Sequence, residues 1–334
     1  MTAKSILLVG GSGKVGRHAA RILRAEHPEA PLLIGGRDLA RAREAAAPLG
    51  HAEGVAVDLS REDLGLGDRP VGAVAVLFTE QRLTTLRFAQ ARGAAHLSIS
   101  KGTFELGPEI AAFTHRPDAA PIVLGTEWLV GATTVPALSF ARAFATLDHV
   151  RIGALLDEED ATGAAGDADL ERQNTVMPAA LARRDGEFVW VTGDDLRSRI
   201  RAADGTEVQS TVFSVNDVVG LATATGVPNL DFHLAIGTTS SRRRGEPMST
   251  EILIELSGTG QDGRPLRTRH AVIHPEGQMP LTGLGVALLL ERLTGLDGRP
   301  AAPPGLYLPY QLLDPATYFA RFERIGGTIL TLEP

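Results

Sequence analysis

The stretch Ser5-Ile6-Leu7-Leu8-Val9, followed without a break by Gly10-Gly11-Ser12-Gly13-Lys14-Val15-Gly16, decides the fold. Its first five residues carry no charge and are mostly branched or long and apolar, as in a central parallel strand covered on both faces. The glycines then fall in a G-x-G-x-x-G spacing. Gly11 permits a tight turn, Gly13 lets the backbone approach a pyrophosphate, and Gly16 lets the next helix pack closely on the strand. Val15, Ala19, Ile22 and Leu23 share one face of that helix, with Arg17, Arg21 and Arg24 largely on the other. Its unpaired N–H groups and dipole would face an anion. A dinucleotide is therefore expected against Gly10, Gly11, Ser12, Gly13, Lys14 and Val15, and the competing reading is a purely structural glycine turn. A phosphate-loop NTPase fails twice, because Val15 stands where the magnesium-binding Ser or Thr must be and Leu8 where the first glycine must be.

About twenty residues past the last glycine an acid would bind the ribose 2′-hydroxyl of NAD. Instead the second strand, Pro31-Leu32-Leu33-Ile34, runs into Gly35-Gly36-Arg37. A small residue and a guanidinium suit a 2′-phosphate, which Arg37 can grip with forked hydrogen bonds, Arg41 standing one turn on as a second cation. Asp38 reads as the N-cap of a helix starting at Leu39. The expectation is NADP(H), with NAD(H) the alternative, and Gly36, Arg37, Asp58 and Thr79 join the candidate cofactor residues.

The chain has 334 residues, 43% hydrophobic and 22% charged, enough for two domains with their own cores. A net charge of −7 without a basic stripe argues against a nucleic-acid partner. The absence of cysteine removes disulfides, thiolate nucleophiles, iron–sulfur clusters and cysteine-ligated zinc. Apolar stretches are too short to span a bilayer and no export signal is present, so a cytoplasmic protein is expected. Of 33 basic residues only Lys4, Lys14 and Lys101 are lysines, which singles out Lys101.

Through residue 145 strands and helices alternate: strands at 55–57, 71–78, 96–100 and 122–124, helices near 83–90 and 108–114. This is a doubly wound α/β domain, expected to be completed by 281–334. Residues 146–280 instead offer successive strands at 150–156, 188–192, 211–215, 232–236, 252–256 and 267–273, with a hairpin turn in 258–265. A second α+β domain with a mostly antiparallel sheet is expected there, for substrate binding or dimerisation. Asp157-Glu158-Glu159-Asp160 and the small residues to Gly166 read as a mobile surface loop, with no metal site assigned.

GGSGKVG at 10–16, GGR at 35–37, Val57-Asp58-Leu59 and a glycine-bounded loop into a long helix after the sixth strand resemble the saccharopine dehydrogenase-like NAD(P) oxidoreductases, over about the first 140 residues. The resemblance implies a Rossmann domain paired with an inserted α/β domain, a homodimer, and reduction of imines formed between amino acids and carbonyl compounds. Some members are proposed to reduce enoyl groups. The loops after strands four, five and six, at Phe78-Thr79-Glu80, Leu97-Ser98-Ile99 and Thr126 to Gly131, depart from the family pattern, so the cofactor half carries over and the reaction half does not.

Ligands of such sheets sit beyond the carboxyl ends of the strands, which makes Lys101 the candidate cation or proton source, with Glu80 and Glu127 at neighbouring strand ends. The plainer readings are a salt bridge for Lys101 and helix-start contacts for the two acids. His274 is the candidate general acid of the second domain, and His96 reads as structural. Trp128 is either a pocket wall or core. Arg242 and Arg243, with Arg244, would repel one another unless solvent or an anion relieves them; water is the plainer reading, and a substrate carboxylate, a phosphate or a carrier-protein surface the competing one. The functional expectation is hydride transfer to a C=N or C=O bond of a small, carboxylate-bearing metabolite. Enoyl reduction and a non-catalytic NADP(H) sensor are the alternatives.

Overall fold

The computed structural model describes residues 4–161 and 164–334. The chain forms two compact units: the chain up to Thr126 with Thr282–Leu313, and Glu127–Leu281 with Asp314–Pro334.

The first unit alternates β1 (Ser5–Val9), α1 (Lys14–Glu26), β2 (Leu32–Gly36), α2 (Leu39–Ala46), β3 (Ala52–Ala56), β4 (Val71–Val76), α3 (Thr84–Arg92), β5 (Ala95–Ser98), α4 (Gly107–His115) and β6 (Pro121–Leu124). These strands pair in parallel in the order β3-β2-β1-β4-β5-β6, and Gly305–Tyr307 adds a seventh parallel strand beside β6. Such sheets must be covered on both faces, and β1 meets the requirement, with Leu7 and Leu8 fully buried. Leu7, Val9, Leu33, Val55, Val74, Val76 and Phe88 form one continuous cluster. Fully burying a side chain of this size contributes about 1.5–3 kcal/mol. The connections wind one way from β1 to β3 and the other way from β4 to β6, so the topological switch lies between β1 and β4, beside the glycine turn.

The second unit comprises α5 (Thr134–Ala141), β7 (Phe144–Asp157), α6 (Ala164–Val176), β8 (Ala179–Arg184), β9 (Glu187–Thr192), β10 (Arg197–Arg201), β11 (Glu207–Val212), α7 (Asp217–Thr225), β12 (Asn229–Gly237), α8 (Ser240–Arg243), β13 (Thr250–Gly260) and β14 (Pro265–His274). The chain then runs through α9 (Met279–Thr294), β15 (the Gly305–Tyr307 strand), α10 (Pro309–Leu312), α11 (Pro315–Arg324) and β16 (Thr328–Leu332). The second sheet runs β10-β11-β12-β7-β13-β14-β16, with β8 attached to β12 and β9 to β8. Every pair is antiparallel except β7 and β12. Ile152, Phe232 and Ile254, each fully buried, anchor its core.

Three expectations change. The segment 314–334 does not join the first sheet, because β16 completes the second one against β14, from Arg269↔Leu332 to Ile273↔Thr328. Residues 281–313 do lie mainly with the first unit: a Cβ on Gly283 would fall 2.5 Å from His18 Cβ, which shows how closely α9 packs on α1. The second-domain strands are interrupted by α6 and α7, and the central parallel pair joins strands too distant in sequence for local signals to show. The acidic stretch is not a loose surface loop either. Within residues 157–161 Asp157 and Asp160 are buried and Glu158, Glu159 and Ala161 are exposed, while Thr162 and Gly163 lie outside the described residues.

Candidate functional site

The glycine turn is fixed by sterics. Gly10 sits at φ +87°, a Cβ on Gly11 would lie 2.7 Å from the Leu8 carbonyl oxygen, and one on Gly16 would lie 2.5 Å from Gly11 Cα. No larger residue fits at Gly11 or Gly16 without moving backbone, so strand, turn and helix are held in close register. Gly13 is the N-cap of α1; no side chain caps this helix and no acid lies in its first turn. The positive end of the helix dipole and its terminal N–H groups therefore meet whatever lies beyond the turn. Lys14 is exposed at that end, and Ser12 and Val15 are half-buried.

At the end of β2, a Cβ on Gly36 would find only Ser12 Oγ, at 3.9 Å, which marks open space beside the turn. Arg37 follows, exposed and without a hydrogen bond or ion pair to any described residue. Asp38 is the N-cap of α2, accepting from Ala40 N at 2.9 Å and Arg41 N at 3.1 Å, so no acid is left at this strand end to meet a ribose. Asp58 is exposed, and its Oδ1 holds a local turn by accepting from Ser60 N at 2.9 Å and Ser60 Oγ at 2.6 Å. A glycine turn leading into an uncapped helix, with open space beside it at Gly36, fits an adenosine dinucleotide.

The carboxyl ends of β4 and β5 are tied together, Thr79 Oγ1 donating to Ser100 O at 2.6 Å. Glu80 is buried and receives three hydrogen bonds, from Thr84 N at 2.7 Å, Thr85 N at 3.2 Å and Thr85 Oγ1 at 2.6 Å. It secures the start of α3, where Leu83 takes a left-handed φ of 55°. Thr85 Oγ1 also lies 3.1 Å from His96 Nε2. Since the hydroxyl hydrogen goes to Glu80, the imidazole must donate from Nε2. Burial, reinforced by the Lys101 charge, pushes His96 down to about 3, so the ring is neutral.

Lys101 is buried, with Nζ 3.6 Å from Glu109 Oε1, and Ser98 Oγ donates to Glu109 Oε2 at 3.1 Å. Burial raises the Glu109 carboxyl above the usual carboxylate range, while Lys101 opposes the rise. Glu109 was missed in the sequence. Its signal was available: His96 and Ser98 alternate as polar residues on one face of a buried strand, so the covering helix needed a polar partner.

Glu127, Trp128, Arg242, Arg243 and His274 belong to the second unit. Glu127 is buried and receives Thr134 Oγ1 at 2.6 Å. Just beyond it, Leu129, Val130 and Gly131 take consecutive φ values of 50°, 58° and 96°. Left-handed backbone at a β-branched residue is costly, on the order of 1–3 kcal/mol. Trp128 is half-buried and packs against aromatic side chains, its ring centroid 5.3 Å from Phe232 and 6.2 Å from Phe213, and its backbone N–H donates to Asp217 Oδ2 at 2.7 Å. Asp217 also receives Thr133 Oγ1, and burial pushes its carboxyl up to about 6.

His274 is not placed as a general acid. It is fully buried, Glu276 N donates to its Nδ1 at 3.1 Å, and its Nε2 lies 3.0 Å from the Ile325 carbonyl. Both nitrogens serve backbone, which makes it a structural post. The arginine run is likewise neutralised from within. Arg242 pairs with Asp157 at 2.8 Å, Glu158 at 3.1 Å and Glu159 at 3.2 Å; Arg243 pairs with Asp204 at 2.7 Å and Arg244 with Glu246 at 2.7 Å. No external anion is needed to relieve their repulsion, and the acidic stretch read as a loop is the partner of Arg242. Among the described residues no group of three or more His, Asp or Glu is placed to hold a metal ion, and no helix is long and apolar enough to cross a membrane.

No protein-family model matches the sequence, and no curated protein matches it significantly. Its fold is shared with solved structures. One is apo saccharopine dehydrogenase (L-glutamate forming) from Saccharomyces cerevisiae, with 13% identity over 99% of this chain and 100% of that one and a TM-score of 0.63. Another is homospermidine synthase from Legionella pneumophila, solved in complex with NAD, with 10% identity over 99% of this chain and 91% of that one and a TM-score of 0.66. The architecture is the one that the sequence resemblance implied, a Rossmann sheet with a second mixed-sheet unit.

Proposed function

We propose that this chain is an NADP(H)-dependent oxidoreductase of the cytoplasm that reduces a C=N or C=O bond of a small metabolite. The observation that carries the reading is the conjunction at the switch point: an uncapped α1 behind Gly11-Ser12-Gly13, open space at Gly36, and an exposed Arg37 with no partner among the described residues. The backbone from Gly11 to Val15 would hold the pyrophosphate, and Arg37, with Arg41 behind it, the 2′-phosphate. When bound, the dinucleotide supplies the hydride. The fold likeness to saccharopine dehydrogenase and to a homospermidine synthase solved with NAD supports a nicotinamide dinucleotide. In this reading Lys101, at the end of β5, holds a proton or a positive charge toward the substrate heteroatom, and Glu109 balances it. The carboxylate on the substrate is dropped, since the arginines that suggested it are internally paired.

One observation favours a second reading, an NADP(H)-binding sensor without turnover: Glu80, Lys101, Glu127 and His274 are all buried with internal partners. Titration with NADPH and NADP⁺, followed by NADPH oxidation against a panel of aldehydes, ketones and amine–carbonyl pairs, separates the two. Turnover with any partner supports the reductase, and binding of both redox forms without turnover supports the sensor. No binding of either form sinks both.

A further inference from the structure

Arg17 closes the first turn of α1, and because helical side chains lean toward the N-terminus, its guanidinium folds back over the glycine turn. There its Nε donates to the Ser12 carbonyl oxygen at 3.0 Å, and a terminal nitrogen lies 3.4 Å from Glu44 Oε1 on α2. The other side of the same peptide is bonded too, Gly13 N donating to Gly10 O at 2.9 Å. In a trans peptide these two groups point in opposite directions, so the plane between Ser12 and Gly13 is held from both sides. The placement of Arg17 runs against the local electrostatics. A cation near the positive end of a helix is unfavourable, α1 has no acid in its first turn, and Glu44, with its side chain 71% exposed, offsets little. An anion lying beyond the turn would reverse that balance.

We propose that Arg17 is a positioning residue for the dinucleotide, acting through the backbone: it fixes the Ser12–Gly13 peptide so that the Ser12 carbonyl stays turned away from the pyrophosphate. The inference rests on the cofactor reading above and deepens it. Lys14, Val15 and Gly16 open α1, and their N–H groups have no carbonyl within the helix to bond. They serve a pyrophosphate only while neighbouring carbonyl oxygens keep clear of it. A flip of the Ser12–Gly13 peptide would aim the Ser12 oxygen the other way and carry Gly13 from its φ of −74° to positive φ, which glycine adopts readily. The glycine that lets a phosphate approach thus also leaves this peptide free to turn, and Arg17 removes that freedom. The pyrophosphate is common to both dinucleotides, so Arg17 raises affinity for each alike, and the choice between them falls to Arg37.

A direct probe exists, because with ¹³C at serine carbonyls and ¹⁵N at glycine, introduced by cell-free synthesis, the only coupled peptides in the chain are Ser12–Gly13 and Ser257–Gly258. Arg17→Met should move or broaden the first signal in the cofactor-free chain and leave the second in place. Calorimetry should then show NADPH and NADH weakened by the same factor, about tenfold, with the thermal midpoint of the free chain unchanged. Arg17→Lys keeps the charge but not Nε, and binding should stay weakened about threefold or more. Glu44→Gln keeps the bond to Ser12 and should bind both dinucleotides within about twofold of the native chain. An unmoved Ser12–Gly13 signal, unchanged binding, full recovery in Arg17→Lys or a loss confined to NADPH would overturn the proposal and leave the cofactor reading in place. A native chain that binds neither dinucleotide would overturn that reading itself, and this proposal with it.

Discussion

Lys101 Nζ lies 3.6 Å from Glu109 Oε1 with the two side chains only 5% and 1% exposed, so the scarcest cation of the chain is balanced by a carboxylate on the helix covering its strand. Removing one partner of such a pair leaves a buried charge alone, which costs about 3–5 kcal/mol, while replacing both by apolar groups is often close to neutral. Lys101→Met should therefore destabilise by that amount in urea unfolding, and Lys101→Met with Glu109→Leu should recover most of it. A single-variant cost under about 1 kcal/mol would class the pair with exposed ion pairs.

Arg242 and Asp157 behave differently. Burial pushes the Asp157 carboxyl up, but hydrogen bonds from Thr239 and Arg242 outweigh it and hold the group below the ordinary carboxylate range. A depressed acid contributes stability that is present above its unfolded pKa and lost as pH falls through the folded one. Arg242→Met should thus cost about 1–3 kcal/mol at neutral pH, the penalty of a buried acceptor that loses a charged donor, and progressively less in acid. Arg244→Met, at the exposed pair with Glu246, should cost under about 1 kcal/mol at any pH. Equal penalties for the two would contradict the burial of Asp157.

Asp217 carries the opposite sign. Burial raises its carboxyl to about 6 despite hydrogen bonds from Thr133 and Trp128. Between the unfolded value, about 3.9, and the folded one the native state holds a proton that the unfolded chain has released. Its contribution to stability therefore falls as pH rises through that window, by at most about 1.4 kcal/mol per unit of pH, and levels off above. Unfolding measured from pH 4 to 7 should show this component in the native chain, and Asp217→Asn should remove it. An unchanged profile in the variant would assign the titration elsewhere.

What was legible in the sequence follows from the range of the interactions. The β1 strand, the glycine turn, α1 and the Asp38 cap are set by residues within about one helical turn of each other, and all four are where the pattern puts them. The misreadings involve partners far apart in the chain. Arg242 finds Asp157 85 residues away, His274 finds Ile325 51 residues away, and the parallel pairing of β7 with β12 joins His149 to Asn229. A run of like charges looks like an anion site until the complementary run folds against it. Glu109 is closer, but it reaches Lys101 only because α4 covers β5, a tertiary fact.

The cofactor reading rests on Arg37, and its consequences separate the two dinucleotides. NADPH and NADH differ only in the 2′-phosphate, so a residue that grips this group changes one affinity and spares the other. Arg37 is exposed and has no partner among the described residues, so Arg37→Ala removes none of the described bonds and should leave the thermal midpoint unchanged within about 0.5 kcal/mol of stability. A charge-assisted hydrogen bond contributes about 1.5–3 kcal/mol, so NADPH binding should weaken roughly 10- to 100-fold. NADH binding should change less than about threefold, and raised salt should narrow the gap between the native chain and the variant for NADPH alone. Calorimetric titration of both dinucleotides gives all four affinities. Equal losses for NADPH and NADH would remove the 2′-phosphate role from Arg37. A tighter NADH than NADPH in the native chain would move the preference to NAD, with Gly36 simply making room for the ribose.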